Sequence, residues 1–226
     1  MIWTRLVRTG FRLLYNEMAW TYDLVSWAVS LGAWRAWQRA ALPYLTGPRV
    51  LEIAHGPGHM LLALDQMGWQ AVGLDLSPAM SRQARRRLRR GGSSVPLMQA
   101  RLPDMPLARE TFDSVLSTFP TDFIAESETL AAVYRILRPG GQFVIVPEGH
   151  LTGRGPLRRF IGWLFRITGQ RWPDEPETPD TPWLAATSMW PKLKERIKIA
   201  GFTVRLLEMR LEGSSVSIII AEKPAG

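Results

Sequence analysis

Two apolar, β-rich runs, Thr203–Leu211 and Ser215–Lys223, lie near the end of the chain with only Glu212, Gly213 and Ser214 between them. A linker that short cannot hold a helical crossover, so the two runs must pair as an antiparallel hairpin. From residue 49 to 147 the reading is the opposite. Short apolar runs alternate with helix-patterned stretches, as they do in a parallel, doubly wound sheet. A nicotinamide-binding domain continues such a sheet with a further strand–helix unit, so the closing hairpin points away from that class. The fold class expected is therefore α/β: a mostly parallel seven-stranded sheet, closed by an antiparallel C-terminal hairpin and preceded by a helical arm.

Arg49–Ala54 reads as a buried first strand, followed by a turn-rich HGPGH and a helix whose apolar side includes Met60, Leu61, Leu62, Leu64 and Met67. QAVGLDL is the second strand, and Ser77-Pro78 opens the next helix with serine as N-cap and proline at its first position. SVPLMQ is a third strand, placed at a sheet edge because Pro96 lacks a ladder donor. FDSVLST is the fourth, SETLAAVYRIL a helix, and GQFVIVP the fifth strand after the stop signal Arg138-Pro-Gly-Gly141. The organisation expected is an arm or lid over residues 1–45 and one domain over 46–226, with an irregular insertion at about 148–187. The 226 residues, 46% hydrophobic and 21% charged, suit such a globular domain. With no cysteine and only three histidines, thiolate chemistry is excluded and no metal is expected.

The first strand ends in Glu52-Ile-Ala-His-Gly56-Pro-Gly58-His. Ligands of doubly wound sheets bind at this end of the strands, and glycines there permit positive φ and close backbone approach. A dinucleotide fingerprint needs a third glycine, but Leu61 stands at that position. The spacing is instead E-x-A-x-G-x-G, and an acid just before the loop suits a ligand carrying an ammonium group. Asp75, at the end of the second strand, can accept both hydroxyls of a ribose.

VLEIAHGPGH, VGLDLSPAM, FDSVLSTF and RILRPGGQFVIV, in this order and spacing, resemble the class I S-adenosylmethionine-dependent methyltransferases, whose sheet is Rossmann-like. The resemblance implies S-adenosylmethionine as cofactor, with Glu52, Ala54, His55, Gly56 and Gly58 around its methionine end. It places Asp75 on the ribose and Leu76 and Met80 beside the adenine. Arg101 and Leu102 stand where the family has an acid and an alanine reading the adenine amino group, and arginine cannot accept that hydrogen bond. Ser117, at the end of the fourth strand, completes the cofactor set. Ala54 replaces the usual glycine.

Upstream, Tyr15–Arg39 contains Tyr22-Asp23-Leu24, Ser30-Leu31-Gly32 and Arg35-Ala-Trp37-Gln-Arg39, and is similar to the opening of the ubiquinone/menaquinone C-methyltransferases. It departs at Ser26 and Trp34, and the stretch after the fourth strand lacks the Gly-x-Arg-Asn signature of that family. The resemblance implies a small, apolar, quinone-like acceptor, and Tyr22 is the candidate lid residue over the sulfonium. If the acceptor must lose a proton, His150 and Glu148, just past the fifth strand, are the candidate catalytic bases.

The net charge of +8 favours anionic partners. Residues 1–14 sort on a helical wheel into an apolar side and an arc of Arg5, Arg8 and Arg12, and residues 157–167 repeat that chemistry. Both are expected at an anionic membrane surface. Arg82, Arg85, Arg86, Arg87, Arg89 and Arg90 read as a solvated helix face. Pro173–Pro182 reads as an extended surface loop. No run approaches the roughly 20 apolar residues of a membrane span. The start lacks the apolar core of a signal peptide. The location expected is cytoplasmic, peripheral on the inner face of the membrane. Nucleic acid is not an expected partner, since no recognised RNA-binding module is present. The reading is thus a methyltransferase for a small or membrane-derived acceptor. Alternatives are a phospholipid N-methyltransferase, an RNA methyltransferase, or a catalytically silent membrane-binding module.

Overall fold

The computed structural model describes residues 22–152 and 190–225. The segments 1–14 and 157–167 and the proline-rich loop therefore lie outside the described residues. Two short helices, α1 (Tyr22–Ser30) and α2 (Trp34–Arg39), lead into strand β1 (Arg49–Ile53). Helix α3 (His59–Gln66), β2 (Gln70–Leu74), α4 (Pro78–Arg90) and β3 (Leu97–Met98) follow. Next come β4 (Phe112–Thr118), α5 (Ser127–Ile136) and β5 (Leu137–Leu151). Helix α6 (Trp190–Ile199) and the hairpin β6 (Thr203–Leu211) and β7 (Ser214–Glu222) end the described fold.

The strands form one sheet in the order β3-β2-β1-β4-β5-β7-β6. All neighbours run parallel up to β5, and β7 pairs antiparallel with both β5 and β6. The expected topology holds, including the edge position of β3. Pro96 bounds that strand, its carbonyl accepting the Gly73 amide at 2.9 Å. In β1, Val50 points to one face and Leu51 and Ile53 to the other. Val50 joins Trp37, Met60, Leu61 and Leu64, whereas Leu51 and Ile53 join Leu130, Val133, Leu193 and Ile197. Helices α2 to α4 thus cover one face and α5 and α6 the opposite face. This two-sided burial explains why β1 reads as a continuous apolar run. Met67, expected on the apolar side of α3, is exposed.

The fifth strand differs most from expectation. It spans Leu137–Leu151 rather than 141–147. The Pro139-Gly140-Gly141 turn is a bulge inside the strand, with Gly140 at φ 76°, and pairing passes from Phe112↔Leu137 directly to Ser114↔Gln142. A second irregularity lies between Ile145 and Glu148 and contains Pro147, which has no N–H to lose from the ladder. Beyond it, Glu148, Gly149, His150 and Leu151 still pair with β7. The strand therefore extends past Thr118, the last residue of β4, at the carboxyl edge of the sheet. A methyl group on Gly149 would lie 2.3 Å from the Trp37 indole, so this glycine lets α2 pack against the strand.

Candidate active site

The loop from β1 to α3 is built from left-handed residues. Ala54, Gly56 and Gly58 have φ of 54°, 54° and 79°. Such a conformation costs an L residue about 1–2 kcal/mol, which Ala54 bears and the glycines do not. Gly58 also has a packing role, because a Cβ there would lie 2.8 Å from the Ala84 Cβ on α4. At Gly56 a Cβ would meet nothing within 4 Å, so the backbone borders open space.

Asp75 joins this loop to the end of β2. Its Oδ2 accepts the Gly56 amide and its Oδ1 the Ser77 amide, each at 2.8 Å. The helix-capping role falls to Ser77, whose Oγ accepts the Met80 amide at 3.2 Å. Burial raises the Asp75 carboxyl above its ordinary range, while His55 and the two amides oppose the rise. Each carboxylate oxygen keeps lone pairs for a further donor.

Glu52 and His55 lie beneath the loop. Glu52 is 1% exposed and bonds the Leu61 amide in the first turn of α3, leaving Oε2 buried without a partner among the described residues. Burial pushes its carboxyl well above the usual range, and the charge of Asp75 adds to the rise. The His55 Nδ1–H donates to the Gly56 carbonyl at 2.8 Å, and its Nε2 is buried without a partner among the described residues. Burial lowers the His55 pKa against the attraction of Asp75, which favours the neutral ring.

The structure thus brings Glu52, Ala54, His55, Gly56, Gly58 and Asp75 together, with Leu76 exposed at the rim. Four other expected cofactor residues have other work. Met80 is fully buried in the first turn of α4. The Arg101 guanidinium pairs with Glu126 at 3.1 Å on the surface. Leu102 packs into the core with Leu130 and Ile136, and Ser117 Oγ donates to the Ile53 carbonyl at 3.1 Å. Tyr22 opens α1, but its ring lies outside the described side chains. His150 and Glu148 sit on the extended end of β5 as a pair, Nε2 to Oε1, at 3.4 Å. On the opposite face of that edge, Trp34 stacks on Phe119 at 3.9 Å, with Trp37 beside them. Phe119 itself has φ 52°.

Sequence reasoning missed one junction. The Asp23 Oδ1 accepts His59 Nε2–H at 2.8 Å, and Oδ2 accepts Arg87, which also donates to the Pro57 carbonyl. One arginine therefore holds both α1 and the glycine loop. The other arginines of α4 are exposed as expected, so Arg87 corrects that reading at a single position. The hydrogen bond from His59, with the charges of His59 and Arg87, holds the Asp23 carboxyl below its ordinary 3.8 despite partial burial. The junction is therefore complete above about pH 4 and fails only as pH falls through the lowered value. Asp23→Asn should raise KM for the cofactor about three- to tenfold at neutral pH with kcat little changed. Initial-rate kinetics would show this, and an unchanged KM with a lower melting temperature would reduce the junction to scaffold.

The site fits S-adenosylmethionine: an orphaned buried carboxyl oxygen for an ammonium, open space over Gly56, and an acid with free lone pairs for a ribose. Comparison with known proteins agrees. A methyltransferase-domain family model matches residues 50–141. Demethylmenaquinone methyltransferase of Thermus thermophilus is 31% identical over 70% of this chain and 72% of its own. Demethylmenaquinone methyltransferase of a Mycobacterium species, strain KMS, is 30% identical over 93% of each chain. Among solved structures, a SAM-dependent methyltransferase from Aquifex aeolicus superposes with a TM-score of 0.57 at 18% identity, covering 82% of this chain and 89% of that one. The likeness of fold, the glycine loop and the relatives converge: this chain is an S-adenosylmethionine-dependent methyltransferase and belongs to the family that includes the demethylmenaquinone methyltransferases.

Proposed function

We propose that the enzyme methylates a ring carbon of a small, apolar, quinone-like acceptor in its reduced, dihydroxy form, taken from a membrane surface. The observation that carries this reading is the similarity to a demethylmenaquinone methyltransferase over 93% of both chains, which reaches into the N-terminal arm. Glu52 and the loop amides hold the methionine end of the cofactor, Asp75 the ribose, and Leu76 borders the adenine.

Bound there, S-adenosylmethionine supplies an electrophilic methyl whose bond to sulfur breaks with the electron pair passing to sulfur. The residues of the chain supply the rest. His150, beside the Glu148 carboxylate, takes the proton of a ring hydroxyl, which pushes electron density onto the attacking carbon. That carbon then loses its own proton to water and the ring becomes aromatic again. Holding the ring at the carboxyl edge provides much of the acceleration, because a methyl displacement needs an in-line approach.

Among the described residues no helix is long and apolar enough to cross a membrane. A peripheral position on the cytoplasmic face is supported by the exposed Leu24, Trp27 and Leu31, which recur at helical spacing on and just past α1. The net charge of +8 suits anionic lipid. The test offers the enzyme labelled cofactor with a demethylated naphthohydroquinone, with phosphatidylethanolamine vesicles, and with RNA. Label on the naphthohydroquinone carbon is the expected result. Label on the lipid amine or the RNA alone would replace this reading.

A further inference from the structure

The sheet face beneath α5 and α6 changes character at the bulge after Ile145. Up to that point its rows are apolar, ending with Ile145 opposite Ile219 and Leu206. The next row on the same face is Glu148, Ser217 and Glu208, and the one after is His150, Ser215 and Arg210. Directly paired residues project from the same side of a sheet, so these side chains form a polar tile two rows deep. Its outer members on the edge strand β6, Glu208 and Arg210, are exposed. Its inner members are not: Ser217 is 0% exposed, Ser215 1% and His150 5%.

Neither the Ser217 Oγ nor the Ser215 Oγ has a hydrogen-bond partner among the described residues. Most buried hydroxyls are paired, because leaving one unmet forfeits its hydration for nothing. Alanine would fit a central strand at both positions without that cost. Ser81 and Ser214 also carry unmet buried hydroxyls, but Ser215 and Ser217 lie side by side on one face opposite a His–Glu pair, the arrangement that a polar ligand would complete.

The tile's position agrees. Glu148 to Leu151 extend beyond the end of β4, on the carboxyl edge where ligands of such sheets bind. Neighbouring strands lie about 4.8 Å apart, so β7, three strands away, is about 14 Å from the glycine loop of β1, a gap that a bound cofactor and one aromatic ring span together. The two serines are two residues apart on one strand, roughly 6.8 Å, the scale of two oxygens across one aromatic ring.

We infer that Ser215 and Ser217, opposite His150 and Glu148 across the β5–β7 ladder, form the subsite that binds the oxygen substituents of a dihydroxy-aromatic acceptor. This rests on the acceptor class proposed above and adds its recognition. Each serine hydroxyl can donate to a ring oxygen or accept from a ring hydroxyl, so the site tells a hydroquinone from a bare hydrocarbon.

The experiment uses the full chain saturated with S-adenosylhomocysteine under reducing conditions. Binding of 1,4-dihydroxynaphthalene and of naphthalene is titrated for wild type, Ser215→Ala, Ser217→Ala and the double variant, alongside melting temperature. Each single change should weaken dihydroxynaphthalene about five- to tenfold, the double change more, with naphthalene and S-adenosylhomocysteine unaffected. The melting temperature should hold or rise, since each change removes an unmet buried hydroxyl. Loss of stability together with equal weakening of both aromatic ligands would make the serines structural and overturn the inference. So would dihydroxynaphthalene affinity that is absent in wild type or unchanged in the double variant. Serine-dependent binding without any methyl product supports the subsite and counts against the proposed reaction alone. Methylation with serine-independent affinity does the reverse.

Discussion

Asp75→Ala is expected to weaken S-adenosylmethionine at least about a hundredfold, and to weaken S-adenosylhomocysteine comparably. The carboxylate has two jobs that converge on the cofactor. As an anionic acceptor of two ribose hydroxyls it makes charge-assisted hydrogen bonds worth about 1.5–3 kcal/mol each. As the acceptor of the Gly56 and Ser77 amides it also sets the distance between the two loops that flank the ligand. Losing about 3 kcal/mol corresponds to more than a hundredfold in dissociation constant. Asp75→Asn separates the jobs. Its amide keeps one acceptor but turns a second donor towards an amide that already donates, so affinity should fall nearly as far with little gain in shape. Titration calorimetry with both nucleosides decides the matter. An unchanged dissociation constant in Asp75→Ala would put the cofactor elsewhere on the sheet edge.

The parts of this site that were legible in the sequence are those where function and backbone conformation coincide. Gly56 and Gly58 announce a turn that needs positive φ, and both adopt it. Asp75 follows a strand at the spacing that brings it to the same edge. The hairpin was forced by a linker too short for any other connection. The extent of β5 was not legible, because Pro139 and Pro147 look like strand boundaries. The fold instead places each at an irregularity where the ladder does without a donor.

Side-chain partners were hidden for a different reason. Asp23 and Arg87 are 64 positions apart, and nothing in the arginine-rich pattern of α4 marks one arginine as different from its neighbours. Ser215 and Ser217 alternate with Val216 and Ile218, the usual pattern of a strand with one wet face. β7 lies inside the sheet between β5 and β6 and is buried on both of its faces, and that position is a tertiary fact. Met80, Leu102 and Ser117, expected beside the cofactor from their places in the motifs, have side chains engaged in packing or in a hydrogen bond to the Ile53 carbonyl, which their sequence positions do not reveal.

Glu52→Gln should separate stability from cofactor affinity, and do so with a pH signature. Burial, reinforced by the charge of Asp75, holds the Glu52 carboxyl well above its ordinary 4.5. The folded chain therefore keeps a proton that the unfolded chain releases. Its contribution to stability is complete below pH 4.5 and declines as pH rises from there towards the raised folded value. Glutamine has the shape of the protonated acid and no proton to lose. The variant should therefore gain stability relative to wild type across that window and match it below. Cofactor binding should respond in the opposite sense. An ammonium brought to Oε2 favours the ionised carboxylate, so wild type should release a proton on binding within the window, seen as heats that vary with the ionisation enthalpy of the buffer. Glu52→Gln should abolish that release and lower affinity about tenfold. Calorimetry in two buffers and melting curves at acid and neutral pH report both effects. If the variant is less stable at every pH and wild type binds without exchanging a proton, Glu52 is already ionised in the empty site, and its role is to fix the first turn of α3 through the Leu61 amide.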